Sequence, residues 1–216
     1  MTERQATSLH RIDVWLDGLA SNAPTPGGGA FAALSAAAGS ALIAMTARLT
    51  IGKKGFEEVH SRMQEIAQEC DASRRDLLEL ADRDADAFDA VMAAYRMPKE
   101  TDDERSQRLR ALQAALEGAA EVPLSVARRA VYLMSMAGEV AEAGNPNAAS
   151  DALSAAAALH AATVSALANV EINAFAFVDA SRRGALTEDV DRLRDRSTAL
   201  LREVAEAFGD RVRAGS

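Results

Sequence analysis

Residues 30–47 read AFAALSAAAGSALIAMTA, eighteen positions without a single charge. Such a stretch needs an apolar environment on all sides. Lipid is one such environment, and a ring of other helices is the second. Ala, Ser and Gly dominate the run and large apolar side chains are few. That suits a helix enclosed by protein better than one crossing a bilayer. The rest of the chain must then supply the enclosing elements. No β-alternation of useful length is present, whereas apolar spacings of three and four recur throughout. The expected fold is all-α: a bundle of long helices forming a single domain over 1–216.

Punctuation along the sequence divides the helices. Leu9, Ile12, Leu16 and Leu19 mark a first amphipathic helix. The run NAPTPGGG at 22–29 is a loop, and the uncharged helix follows to about Ile51, closed by Gly52. A helical pattern then runs from Phe56 to Tyr95 and is stopped by Pro98. Thr101 followed by Asp102, Asp103 and Glu104 starts the next helix. Pro123 either kinks that helix or opens another, and Gly144 in GNPN ends it. Ser150 and Asp151 offer capping groups for a helix to about Ser181, and Thr187, Glu188 and Asp189 begin the last, with Val190, Leu193, Leu200, Val204 and Phe208 as its apolar face. Helices this long often bury surface against a second copy of the chain, so a homodimer is expected.

Ala makes up roughly a fifth to a quarter of the residues, against 4% aromatics, which favours helices packed at close range. A net charge of −8 argues against a nucleic-acid binder, which normally shows a basic face. The one cysteine, Cys70, rules out an intrachain disulfide and falls on the stripe Ile66, Cys70, Leu77, as a buried thiol would. His10, His60 and His160 show no metal-ligand spacing, so no metal and no cofactor are assigned. The N-terminal residues show no signal-peptide pattern, which leaves the cytoplasm, with no membrane contact, as the expected location.

Asp84 is the anomalous residue. Leu77, Leu80, Ala81, Asp84, Phe88, Val91, Met92 and Tyr95 share one helical stripe, and Asp84 alone interrupts it with a charge. A carboxylate on an apolar stripe is paired, protonated or working on a ligand. Asp82, Asp86 and Asp89 share a polar stripe with Arg75 and Glu79 and read as a solvated face.

Three weaker signals accompany it. Pro26, Gly27, Gly28 and Gly29 open the uncharged helix, where glycines let either a ligand or another helix approach the backbone. Arg48, Lys53 and Lys54 lie at that helix's far end, suited either to its dipole or to an anionic substrate. Asn169 and Asn173 stand one turn apart on an Ala-lined face, able either to join helices or to read the edge of a heterocycle. Without a covalent-nucleophile motif, acid–base work by a carboxylate is the chemistry these residues suggest.

Four stretches together resemble the cyclodeaminase/cyclohydrolase family of folate enzymes: LASNAPTPGGGAFAALSAAAGSALIAMTARLTIGKKGFEEV, DRDADAFDAVMAAYRMPK, EVPLSVARRA and GNPNAASDALSAAAALHAATVSALANVEIN. The likeness spans nearly the whole chain. It implies an all-helical dimer acting on a tetrahydrofolate. One family activity is hydrolysis of 5,10-methenyltetrahydrofolate to 10-formyltetrahydrofolate. The other is cyclisation of 5-formiminotetrahydrofolate with loss of ammonia. The unfused form and its motifs look more like the stand-alone cyclohydrolases. The resemblance makes Asp84 catalytic, as the acid of the DAxAF motif. It makes Pro26, Gly27, Gly28, Gly29, Asn169 and Asn173 neighbours of the folate ring, sets Lys53 and Lys54 on its glutamate tail, and adds Asn145, Ser150 and Asp151 to the substrate-binding set. The family pattern usually has Ser or another small residue after PGGG; Ala30 is small but lacks the hydroxyl that Ser would supply. The rival of a different class is a non-catalytic helical interaction protein, which would bind no folate; another is a small-molecule hydrolase or lyase on the same bundle.

Overall fold

A computed structural model describes residues 11–214; Leu9 and His10 lie outside them. Six α-helices make up the described chain: α1 (Ile12–Leu19), α2 (Gly28–Arg48), α3 (His60–Tyr95), α4 (Asp102–Ala143), α5 (Ala149–Phe175) and α6 (Ala180–Ala214). The uncharged run forms α2, packed against α3, α4 and α5. Ala32, Ala33, Ala36, Ile43 and Ala47 are buried along it. Small side chains let the backbones come close: a Cβ added to Gly39 would stand 2.8 Å from Leu159 Cγ and 3.1 Å from the Ala155 carbonyl oxygen. α2 and the segment Pro146–Phe175 are long and apolar enough to cross a membrane by composition alone. Here they form the centre of the bundle, which is the environment their small residues suit.

Several helix ends follow from local chemistry. Thr101 Oγ1 accepts from the Glu104 N–H at 3.2 Å, and Glu104 Oε2 accepts from the Thr101 N–H at 2.9 Å, a reciprocal cap at the start of α4. Gly52 and Gly55 take positive φ in the turns after α2. α4 runs through Pro123 without a break. Cys70 is buried and its thiol is pushed up to about 12, first by burial.

Three sequence expectations shift. In α1 the residue that docks is Trp15, while Ile12 and Leu16 are exposed. Ser150 and Asp151 lie inside the first turn of α5 rather than capping it; Asn145 caps the preceding 3-10 turn by accepting from the Asn147 N–H at 3.2 Å. α6 begins at Ala180, not Thr187, because Asp179 Oδ1 accepts from the Ser181 and Arg182 N–H groups at 2.8 and 3.1 Å. Thr187 sits inside the helix, its hydroxyl donating to the Arg183 carbonyl.

Candidate active site

The N-terminus of α2 is where separated signals meet. Gly27 is the N-cap of α2, and Gly28 and Gly29 form its first turn. α3 delivers Asp84 against that turn. A Cβ on Gly29 would overlap the Asp84 carboxyl group, with even Oδ2 only 2.6 Å away. The glycine is required here by the approach of a side chain rather than by its own φ. The Ala30 N–H, one of the free donors of a helix start, bonds the carboxylate. Two influences therefore oppose each other at Asp84. Burial raises its pKa, the Ala30 N–H lowers it, and burial wins, leaving the group above the ordinary aspartate value. The side chain is half-buried rather than sealed in, since it lines an open cavity.

α5 clamps the other side of the glycine turn. Ser165 Oγ donates to the Gly28 carbonyl at 3.0 Å. A Cβ on Gly28 would come within 3.1 Å of Asn169 Nδ2, so this glycine too makes room for a neighbour. Asn169 Nδ2 donates to the Ser165 carbonyl at 2.8 Å. Asn173 Nδ2 donates to the Asn169 carbonyl at 2.9 Å and to the Ala119 carbonyl of α4 at 3.0 Å.

Gly27, Gly28, Gly29, Asp84, Asn169 and Asn173 all line one cavity of about 420 Å³. Phe88, Val91, Met92 and Tyr95 continue its wall along α3, and Leu116, Ala119, Ile172 and Ala176 close it from α4 and α5. A mostly apolar hollow with one carboxylate and two amides suits a flat heterocycle of mixed polarity. A carboxylate in such a place stabilises a cation and accepts a proton. Among the described residues no cluster suited to a metal ion is present.

The remaining candidates lie elsewhere. Pro26 follows a cis Thr25–Pro26 bond and sits beside Gly18; its neighbours Pro24, Thr25 and Gly27 line the cavity, and it does not. Lys53 and Lys54 are exposed in the turn beyond the C-terminus of α2. As α2 has 21 residues, they stand about 30 Å from the glycine turn. Asn145, Ser150 and Asp151 share that far end. Asn145 ties it together: its N–H donates to Thr50 Oγ1 at 2.9 Å and its Nδ2 to the Leu49 carbonyl at 3.3 Å. Arg48 is engaged with Asp71, whose carboxyl it holds below the usual range. Within one protomer these groups do not meet the cavity.

Sequence reasoning missed the part of α4 that closes the cavity. Leu116 and Ala119 carry no local mark, and only the register of α4 against α3 and α5 places them. Arg108 was also missed. It lies over the Tyr95 ring, 5.7 Å from the centroid, and donates to the Tyr95 carbonyl at the cavity wall.

Residues 11–210 match the profile of the formiminotransferase-cyclodeaminase family. The chain belongs to that family. Within it, a methenyltetrahydrofolate cyclohydrolase of Methylorubrum extorquens is 40% identical over 201 residues, covering 93% of this chain and 97% of that protein. A formimidoyltransferase-cyclodeaminase of Rattus norvegicus is 37% identical over 82% of this chain, which spans 32% of that longer protein. The crystal structure of formiminotetrahydrofolate cyclodeaminase from Thermotoga maritima superposes with a TM-score of 0.86 at 33% identity, over 95% of this chain and 98% of that one. The helical architecture is thus that of a solved family member, and the likeness to the cyclohydrolase runs nearly end to end.

Proposed function

We propose that the protein hydrolyses 5,10-methenyltetrahydrofolate to 10-formyltetrahydrofolate, with Asp84 as general base. The observation that carries this is the placement of Asp84: a half-buried carboxylate on the wall of a mostly apolar cavity, packed against the glycine turn that lines the same cavity. The methenyl bridge is an amidinium-like cation. The carboxylate pairs with that cation, which positions the bridge carbon beside it, and takes a proton from the attacking water. The water oxygen bonds to the bridge carbon, giving a tetrahedral centre with N5 and N10 still attached. The hydroxyl then loses its proton, the C–N5 bond breaks and N5 is protonated, leaving the formyl group on N10. One proton is released overall, matching the charge lost by the substrate.

Gly27, Gly28, Gly29, Asn169 and Asn173 surround the ring system in this reading. The structural likeness to a cyclodeaminase supports a second reaction on the same site. There N10 closes onto the carbon of the protonated formimino group, Asp84 takes the N10 proton and passes it to the former imino nitrogen, and the C–N bond to that nitrogen breaks, releasing ammonia and leaving the methenyl cation. Supplying the two substrates separately tests both. Enzyme-dependent loss of the methenyl chromophore is the expected result, and ammonia release from the formimino compound without it would make the second reaction the true one.

A homodimer belongs to this proposal. α2 leaves Phe31, Ala38, Met45 and Leu49 exposed along one line, with Arg48 as the charge beside it. A two-fold axis across the middle of that line would run two α2 helices antiparallel. Lys53 and Lys54 of the partner subunit, with the far-end residues Asn145, Ser150 and Asp151, would then stand near the cavity that their own protomer holds about 30 Å away. In that arrangement the two lysines meet the anionic glutamate tail.

A further inference from the structure

Pro123 is buried in the middle of a 42-residue helix. Proline has no N–H, so the carbonyl four residues earlier, Ala119, loses the donor that the regular helix pattern would give it. Ala119 is itself buried, where an unpaired carbonyl is costly. The donor it finds is Asn173 Nδ2, at 3.0 Å from α5. The second amide hydrogen of Asn173 goes to the Asn169 carbonyl at 2.9 Å. Both of its contacts are carbonyl oxygens, which only the NH2 end can satisfy, so chemistry fixes which way the amide points. Asn173 Oδ1 has no donor among the described residues, and the side chain lines the cavity.

We propose that Pro123 is a positioning residue: the carbonyl it leaves open captures the Asn173 amide and sets Asn173 as an acceptor-only group, which selects a ligand edge bearing N–H. With the Asp84 carboxylate on the same cavity, two acceptors then face a ligand that must bring donors or positive charge. The ligand identity rests on the folate reading above, where a reduced pterin carries such an edge at N3–H, the 2-amino group and N8–H. The orientation of the amide does not depend on that reading.

Two measurements separate these parts. In the ligand-free protein, side-chain amide NMR should show both Asn173 Nδ2 protons protected from exchange, and Pro123→Ala, which returns an N–H to Ala119, should free one of them. Unprotected protons in the parent protein would overturn the proposal whatever the ligand. Calorimetry with tetrahydrofolate and analogues lacking one N–H donor each should then show one analogue binding about tenfold more weakly, the cost of one hydrogen bond. Asn173→Ala and Pro123→Ala should each abolish that preference, and combining them should add nothing further. A Pro123→Ala variant that keeps the full preference would refute the positioning role. Protected amide protons in a protein that binds no tetrahydrofolate would uphold the orienting device and overturn the folate ligand.

Discussion

Asp84 and Gly29 act as a pair. Folding raises the pKa of Asp84, so between the ordinary aspartate value and the raised one the native state holds more proton than the unfolded chain. Stability then falls as pH climbs through that window, and at neutral pH this carboxylate costs the fold free energy. Asp84→Asn should therefore melt at or above the parent temperature at pH 7, and the advantage should vanish below the ordinary aspartate range; thermal melts across pH test this. Gly29→Ala should cost about 1–3 kcal/mol, the usual penalty for forcing a methyl into filled space. Because the obstacle is the Asp84 carboxylate, the same change made in an Asp84→Ala background should cost markedly less. Denaturant titrations of the two single variants and the double variant measure that coupling. Both residues were visible in the sequence as local anomalies, an acid on an apolar stripe and a glycine run at a helix start. Their contact was not, since it depends on how α3 crosses α2.

At the scale of elements, periodicity made the helices legible and left their ends uncertain. The cap at Thr101 is recognisable because its whole signature is local. Thr101→Ala should cost about 1 kcal/mol and leave turnover unchanged, as it lies away from the site-forming turn. The α5–α6 break lies earlier than the Thr187, Glu188, Asp189 signal suggests, because Asp179 stabilises a helix start before it. Pro123 offered two readings, and no new helix opens there: α4 continues through it, and another helix supplies the missing donor. α2 and α5 meet through Gly39, where no side chain can be added without moving Leu159 or the Ala155 backbone. Gly39→Ala should cost about 1–3 kcal/mol, read by denaturant titration.

For the whole molecule, the resemblance assembled residues from both ends of the bundle into one set. Sequence identity of motifs carries no distance, so Lys53, Lys54, Asn145, Ser150 and Asp151 came grouped with Asp84 although α2 separates them by about 30 Å. The proposed two-fold pairing of α2 reunites them. Ala38→Glu, which puts a charge at the middle of the exposed apolar line, should convert a dimer to a monomer by light scattering and weaken activity with it. Lys53→Ala with Lys54→Ala should weaken binding of polyglutamylated substrate more than the monoglutamate; equal effects would exclude the tail-binding role.

The central claim is that the Asp84 carboxylate moves the proton at the one-carbon bridge. The most direct measurement is turnover of methenyltetrahydrofolate by Asp84→Asn, alongside its affinity for that substrate. Turnover about two to four orders of magnitude below the parent, in line with loss of a general base, with substrate still bound, is the predicted result. Turnover equal to that of the parent protein would contradict it.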